Sequence, residues 1–105
     1  PTKPPGQPYA LSSKAVRAIQ ADVRQAMKDP DSARFGRIAA AIDSDGVVTA
    51  CGWVNGKNSY GGYTGELPFM GIYSLERGRY MLADIASASE ASATVIVCRN
   101  RGVAM

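Results

Sequence analysis

The chain has 105 residues, of which 46% are hydrophobic and 20% charged, and its net charge is +3. This length and composition are typical of one globular domain with a modest core, not of a disordered or membrane-spanning chain. Histidine is absent, which removes the commonest general base and metal ligand. We therefore expect no metal and no cofactor. The cations are scattered along the chain, so a strong nucleic-acid-binding stripe is not expected.

The first part of the chain predicts a leader followed by a helix. Residues 1–10 are rich in proline and predict a flexible leader that precedes a single domain over residues 11–105. Ser12 or Ser13 is the expected N-cap of a helix that runs to about Lys28. Apolar side chains recur there at helical spacing: Val16, Ile19, Val23, Ala26 and Met27. We expect this amphipathic helix to pack on a sheet.

Alternating apolar residues predict that sheet. The candidate strands are residues 35–42, 47–54, 68–74 and 79–85, with hairpin signals between them. The expected fold is α+β, with the N-terminal amphipathic helix packed on a small antiparallel sheet of about four strands.

The last segment, residues 91–101, fits two structures. Ser87 and Glu90 form a capping-box pattern, and Gly102 is a candidate C-terminal cap, which together indicate a helix. The β-branched residues in 94–97 suit a strand instead. We favour a C-terminal helix. In either case Cys98 faces the core, where it and Cys51 form a disulfide or remain two small buried hydrophobic residues.

The segment 51–71 concentrates the residues suited to recognition, including six of the eleven glycines. Asn55-Gly56 predicts a tight reversal, and the loop after it combines aromatic and polar side chains, as binding loops do. The candidate binding residues are Asn55, Lys57, Asn58, Tyr60, Tyr63 and Glu66. The same residues also suit a purely structural loop, in which asparagines bond the backbone and tyrosines anchor the loop. The sequence leaves both interpretations open.

Catalysis has weaker support in the residue pattern. No catalytic residue is assigned, and the balance is against an enzyme. The alternative is a small envelope hydrolase or transferase that uses Lys57 and Glu66 on cell-wall or acyl substrates. A weak nucleic-acid-binding module is a further alternative, with an affinity that falls steeply as salt rises.

The central pattern CGxVNxKNxxGGYxG, which begins at Cys51 and is followed by Pro68-Phe69, resembles a motif of small uncharacterised proteobacterial exported proteins. Residues 29–35 are similar to a second segment of those proteins. The resemblance implies a periplasmic or secreted protein whose signal peptide has been removed, which suits a chain that starts at Pro1. It also implies a disulfide between Cys51 and Cys98. It brings no activity, so we expect a non-enzymatic envelope protein that binds a protein or glycan partner through loop 55–66.

Overall fold

A computed structural model of the chain describes residues 5–57 and 60–105. The described residues form five strands, two α-helices and one short 3₁₀ helix. In chain order these are β1 (Gln7–Tyr9), α1 (Ser13–Gln25), the 3₁₀ helix (Pro30–Ser32), β2 (Arg34–Ile42), β3 (Val48–Asn55), β4 (Leu67–Ser74), β5 (Arg79–Ile85) and α2 (Ala91–Asn100).

The strands make one antiparallel sheet in the order β1-β2-β3-β4-β5. This confirms the α+β class, but the described residues form five strands where about four were expected. The additional strand is β1, which lies inside the predicted leader and pairs with β2 from Gln7 opposite Ile42 to Tyr9 opposite Ala40. The Gly6 N–H donates a 3.0 Å hydrogen bond to the Arg101 carbonyl and ties this strand to the end of the chain. Proline is compatible with an edge strand because its missing N–H faces away from the ladder. Residues 1–4 of the predicted leader lie outside the described residues.

Helix α1 begins as its sequence predicts. The Ser12 hydroxyl is the N-cap and accepts a 3.1 Å hydrogen bond from the Ala15 N–H. The helix ends at Gln25, earlier than predicted, because the Ala26 and Met27 N–H groups turn back to carbonyls three residues before them. On its outer side, the Asp22 carboxylate accepts a 3.1 Å bond from the Leu82 N–H of edge strand β5.

The core lies on both faces of the sheet. On one face α1 contributes Ala15, Ile19 and Val23, which pack in a cluster with alternate residues of β3 and with Phe69 and Tyr80. The intervening residue Cys51 points to the other face because side chains alternate along a strand. There it forms a disulfide with Cys98 of α2, which confirms the pairing implied by the resemblance. The two helices therefore cover opposite faces of the sheet.

Helix α2 confirms the favoured structure of residues 91–101. Its N-cap is Glu90 and not Ser87, and no side chain caps its start, so the capping-box prediction placed the start incorrectly. Its end is a Schellman motif: the Gly102 N–H donates to the Arg99 carbonyl, and the Val103 N–H donates to the Cys98 carbonyl. Gly102 adopts a φ of 93°, as the cap requires. Among the described residues, no helix is long and apolar enough to cross a membrane.

Candidate binding surface

The loop between β3 and β4 has a different course from the one its sequence predicts. The prediction of a tight reversal at Asn55-Gly56 is wrong. Asn55 is still part of β3, and Lys57 forms an antiparallel bridge with Tyr63 further along the chain. Gly56 is buried, and a Cβ atom there would clash with the terminal methyl group of Met27. Gly56 therefore lets the Met27 methyl group pack close to the backbone, and it is not part of a turn.

Hydrogen bonds hold the base of this loop. The Asn55 side-chain oxygen accepts the Gly65 N–H at 3.0 Å, and the Gly56 carbonyl accepts the Thr64 N–H at 3.1 Å. The buried Ser32 hydroxyl accepts the Lys57 N–H at 2.8 Å and donates to the Asp29 carbonyl at 2.7 Å. The 3₁₀ helix is thereby joined to the loop. Asn55, expected to bind a partner, has its side-chain oxygen engaged within the loop.

The most distinctive side-chain arrangement surrounds Tyr63. The Arg34 guanidinium carbon lies 4.3 Å from the centre of the Tyr63 ring, and the Lys57 Nζ lies 5.8 Å from it. Both distances are within the range of cation–π attraction. Tyr63 is 37% exposed, so the ring and its two cations are accessible to a partner.

Three further side chains complete this surface: Trp53 of β3, and Tyr60 and Glu66 of the loop. At Gly36 of β2, a Cβ atom would lie 3.0 Å from a Glu66 carboxylate oxygen and 3.2 Å from the Trp53 Cβ, so these residues are close neighbours. Trp53 is half-buried. Tyr60, at the tip of the loop, is 97% exposed. We call Arg34, Trp53, Lys57, Tyr60, Tyr63 and Glu66 together the cation–aromatic surface.

The structure places the predicted binding residues in different environments. It brings Lys57 and Tyr63 together, places Tyr60 at the loop tip, and uses the Asn55 side chain inside the loop. Asn58 lies outside the described residues.

The sequence patterns did not identify two residues that contact the loop. Arg34 reaches the loop because it is opposite Asn55 in the β2–β3 register, and Ser32 reaches it from the 3₁₀ helix. The signal for Arg34 was its position just before the strand predicted over residues 35–42, which pairs with the strand before the loop.

Comparison with family models, curated proteins and solved structures found no match.

The cation–aromatic surface presents side chains suited to direct contact with a partner. Within residues 5–57 and 60–105, no group of three or more histidine, cysteine, aspartate or glutamate side chains is arranged to hold a metal ion. The Lys57 Nζ lies 5.8 Å from the centre of the Tyr63 ring, whereas a Cβ atom at Gly36 would lie 3.0 Å from a Glu66 oxygen. Exposed aromatic rings and cations are groups that bind a partner by stacking and charge.

Proposed function

We propose that this chain is a non-enzymatic binding protein of the bacterial envelope that recognises a protein partner through the cation–aromatic surface. One observation carries the proposal: the Arg34 guanidinium and the Lys57 ammonium both lie within cation–π distance of the partly exposed Tyr63 ring. Tyrosine, tryptophan and arginine are the residues enriched at the energetic centres of protein interfaces. The surface carries two cations, Arg34 and Lys57, and one carboxylate, Glu66. Its net positive charge favours a partner that presents an acidic group.

The hydrogen-bonded base of the loop supports the same function. A binding loop that is already ordered loses less conformational entropy when its partner arrives. The Asn55 and Ser32 bonds hold the two ends of the loop to β3 and to the 3₁₀ helix, and they leave the aromatic groups at the surface. The structural and the recognition interpretations of this loop are therefore compatible.

The disulfide between Cys51 and Cys98 supports the envelope location, because disulfides persist in oxidising compartments. The location is tested by unfolding protein from its source cells without reductant, after blocking free thiols during lysis, and titrating the thiols. Export predicts that almost no free thiol titrates, because the disulfide persists in an oxidising compartment. Two free thiols per chain would contradict it.

The binding surface is tested by site-specific photo-cross-linking. The photoreactive residue p-benzoylphenylalanine replaces Tyr60 in one variant and Leu75 in another, because Leu75 is exposed in the β4–β5 turn. Incubation with envelope extract and irradiation should give a discrete protein adduct from position 60 and not from position 75. Adding Arg34→Ala should weaken the adduct at 60, whereas Lys14→Ala, an exposed cation at the start of α1, should leave it unchanged.

Equal adducts from positions 60 and 75, or an adduct that Arg34→Ala leaves intact, would overturn the proposal. A glycan partner would appear instead as binding to cell-wall fragments with no protein adduct. A nucleic-acid partner would appear as binding to single-stranded oligonucleotides that falls steeply between 50 and 200 mM salt. Either outcome would replace the protein partner.

A further inference from the structure

A groove lies on the α1 side of the same loop, and Lys57 belongs both to its lining and to the cation–aromatic surface. It has a volume of about 350 Å³ and runs between the end of α1, the ends of β3 and β5, and the start of β4. Its floor is apolar and buried, formed by Val54, Gly56 and Ala86. Met27, Leu67 and Ile85 line it further and are partly buried. The volume is in the range of small-molecule sites.

The charges of the groove have one sign. Among the described lining residues, the formally charged ones are Lys28, just after α1, and Lys57, at the base of the loop. Both side chains are exposed, and lysine stems cover apolar surface while their charged ends stay in water; the Lys57 Nζ also lies 5.8 Å from the centre of the Tyr63 ring. An apolar floor below a cationic rim is complementary to a molecule with an apolar tail and an anionic head.

We propose that this groove binds a single-chain anionic amphiphile, such as a fatty-acid carboxylate, with its chain over Val54 and Ala86 and its head at the lysine rim. The proposal goes beyond the protein-binding function and does not depend on it. Met27 packs over Gly56, and methionine is the side chain that adapts best to a chain of variable shape.

The ligand chemistry is tested by isothermal titration calorimetry with sodium alkanoates, kept below their micelle concentrations, from hexanoate to dodecanoate. Each methylene group that enters the groove should improve affinity by about fourfold, until the groove is filled and the gain stops. Dodecyltrimethylammonium, whose alkyl chain is one carbon longer and whose head is cationic, should still bind more weakly than dodecanoate. Far-UV circular dichroism of each mixture shows whether the protein stays folded.

Variants locate the site. Lys28→Gln and Lys57→Gln should each weaken dodecanoate binding by about two- to fivefold, as expected for the loss of one exposed ion pair. Lys14→Gln, at the opposite end of α1, is the matched control and should change nothing. Ala26→Phe, at an exposed lining position just after α1, should fill the groove and abolish binding while the circular dichroism spectrum remains that of the folded protein.

Three results would overturn the proposal: equal affinity for the cationic and anionic amphiphiles, no gain with chain length, or equal effects of Lys14→Gln and Lys28→Gln. If the chain self-associates through the groove, sedimentation should show a mass that rises with protein concentration, and Ala26→Phe should alter that rise. This result would assign the groove to a second copy of the chain. The two sites are separable, because Lys28→Gln alters only the groove and Arg34→Ala alters only the cation–aromatic surface. Failure of alkanoate binding with an intact cross-link would reject the groove alone.

Discussion

The Tyr80 hydroxyl of β5 donates a 2.7 Å hydrogen bond to the Ala50 carbonyl of β3, across the whole width of β4. The ring crosses β4 at Gly71, where a Cβ atom would lie 2.6 Å from the ring carbon that bears the hydroxyl. Three strands are thus joined by one side chain at a position where only glycine leaves room for it. Tyr80 and Ala50 both belong to the core on the α1 face of the sheet.

We expect Gly71→Ala to destabilise the domain by about 3 kcal/mol, the scale of an overpacked core site. The added methyl group clashes with the Met81 carbonyl as well as with the Tyr80 ring, and a backbone atom of a paired strand is not free to move away. Tyr80→Phe, which keeps the ring and removes one hydrogen bond, should cost only about 1 kcal/mol. Urea unfolding followed by far-UV circular dichroism measures both. Equal costs would show that the hydroxyl, and not the space at Gly71, dominates.

Alkaline pH should unfold the protein through the same residue. Burial, with the Asp22 carboxylate as a second cause, raises the pKa of Tyr80 well above its ordinary value. Below about pH 10 both the folded and the unfolded states keep the proton, so stability is unaffected. Above it the unfolded state loses the proton while the folded state retains it, and the free energy of unfolding falls by up to about 1.4 kcal/mol per pH unit.

The measurement for Tyr80 is the urea midpoint at pH values from 8 to 11.5. Tyr80→Phe should show a shallower decline than the wild-type protein above pH 10. Tyr60→Phe, which changes an exposed tyrosine, is the matched control and should follow the wild-type curve. Parallel declines in all three proteins would mean that Tyr80 does not control the alkaline transition.

Loss of the disulfide should destabilise the domain by about 3–4 kcal/mol, because the unfolded chain is no longer constrained between positions 51 and 98. The variant Cys51→Ala/Cys98→Ala avoids buried thiols and tests this by urea unfolding. We expect α2 to be affected most, since its Ile96 and Val97 side chains are largely exposed and add little to the core. Hydrogen exchange should therefore show faster exchange in Ala91–Asn100 than in α1. Uniform loss of protection would contradict a local effect.

The parts of the fold that the sequence predicted are those determined by local periodicity. Strand β5, residues 79–85, matches its prediction, and the N-cap of α1 is one of the two serines expected. Strand β1 was missed because prolines indicate extended backbone without indicating a partner strand. Arg34 was missed because its contact with Tyr63 depends on the β2–β3 register, which local patterns do not define. The Asn-Gly signal at residues 55–56 failed because Asn55 pairs with Arg34 in the sheet and accepts the Gly65 N–H, and this non-local pairing outweighed local turn preference.

Gly52 in β3 and Gly56 just after β3 should respond differently to replacement by alanine. At Gly52 an added Cβ would lie 2.7 Å from the Phe69 ring and 2.9 Å from Ile38, and the fully buried ring has no space into which it can retreat. We expect Gly52→Ala to cost about 2–3 kcal/mol. At Gly56 the clash is with the end of the flexible Met27 side chain, so Gly56→Ala should cost about 1 kcal/mol or less. Met27→Ala added to Gly56→Ala should show favourable coupling in a double-mutant cycle; strictly additive costs would contradict this account.

The role of Asn55 separates a scaffold residue from a contact residue. Its side-chain oxygen accepts the Gly65 N–H, so Asn55→Ala should lose about 1 kcal/mol of stability and increase hydrogen exchange at Gly65. Asn55→Asp keeps an acceptor oxygen at this position and should restore most of the protection. If Asn55 acts only by holding the loop, the Asp variant should also retain the cross-link from position 60. A variant that protects Gly65 fully and still loses the adduct would show that the amide itself contacts the partner.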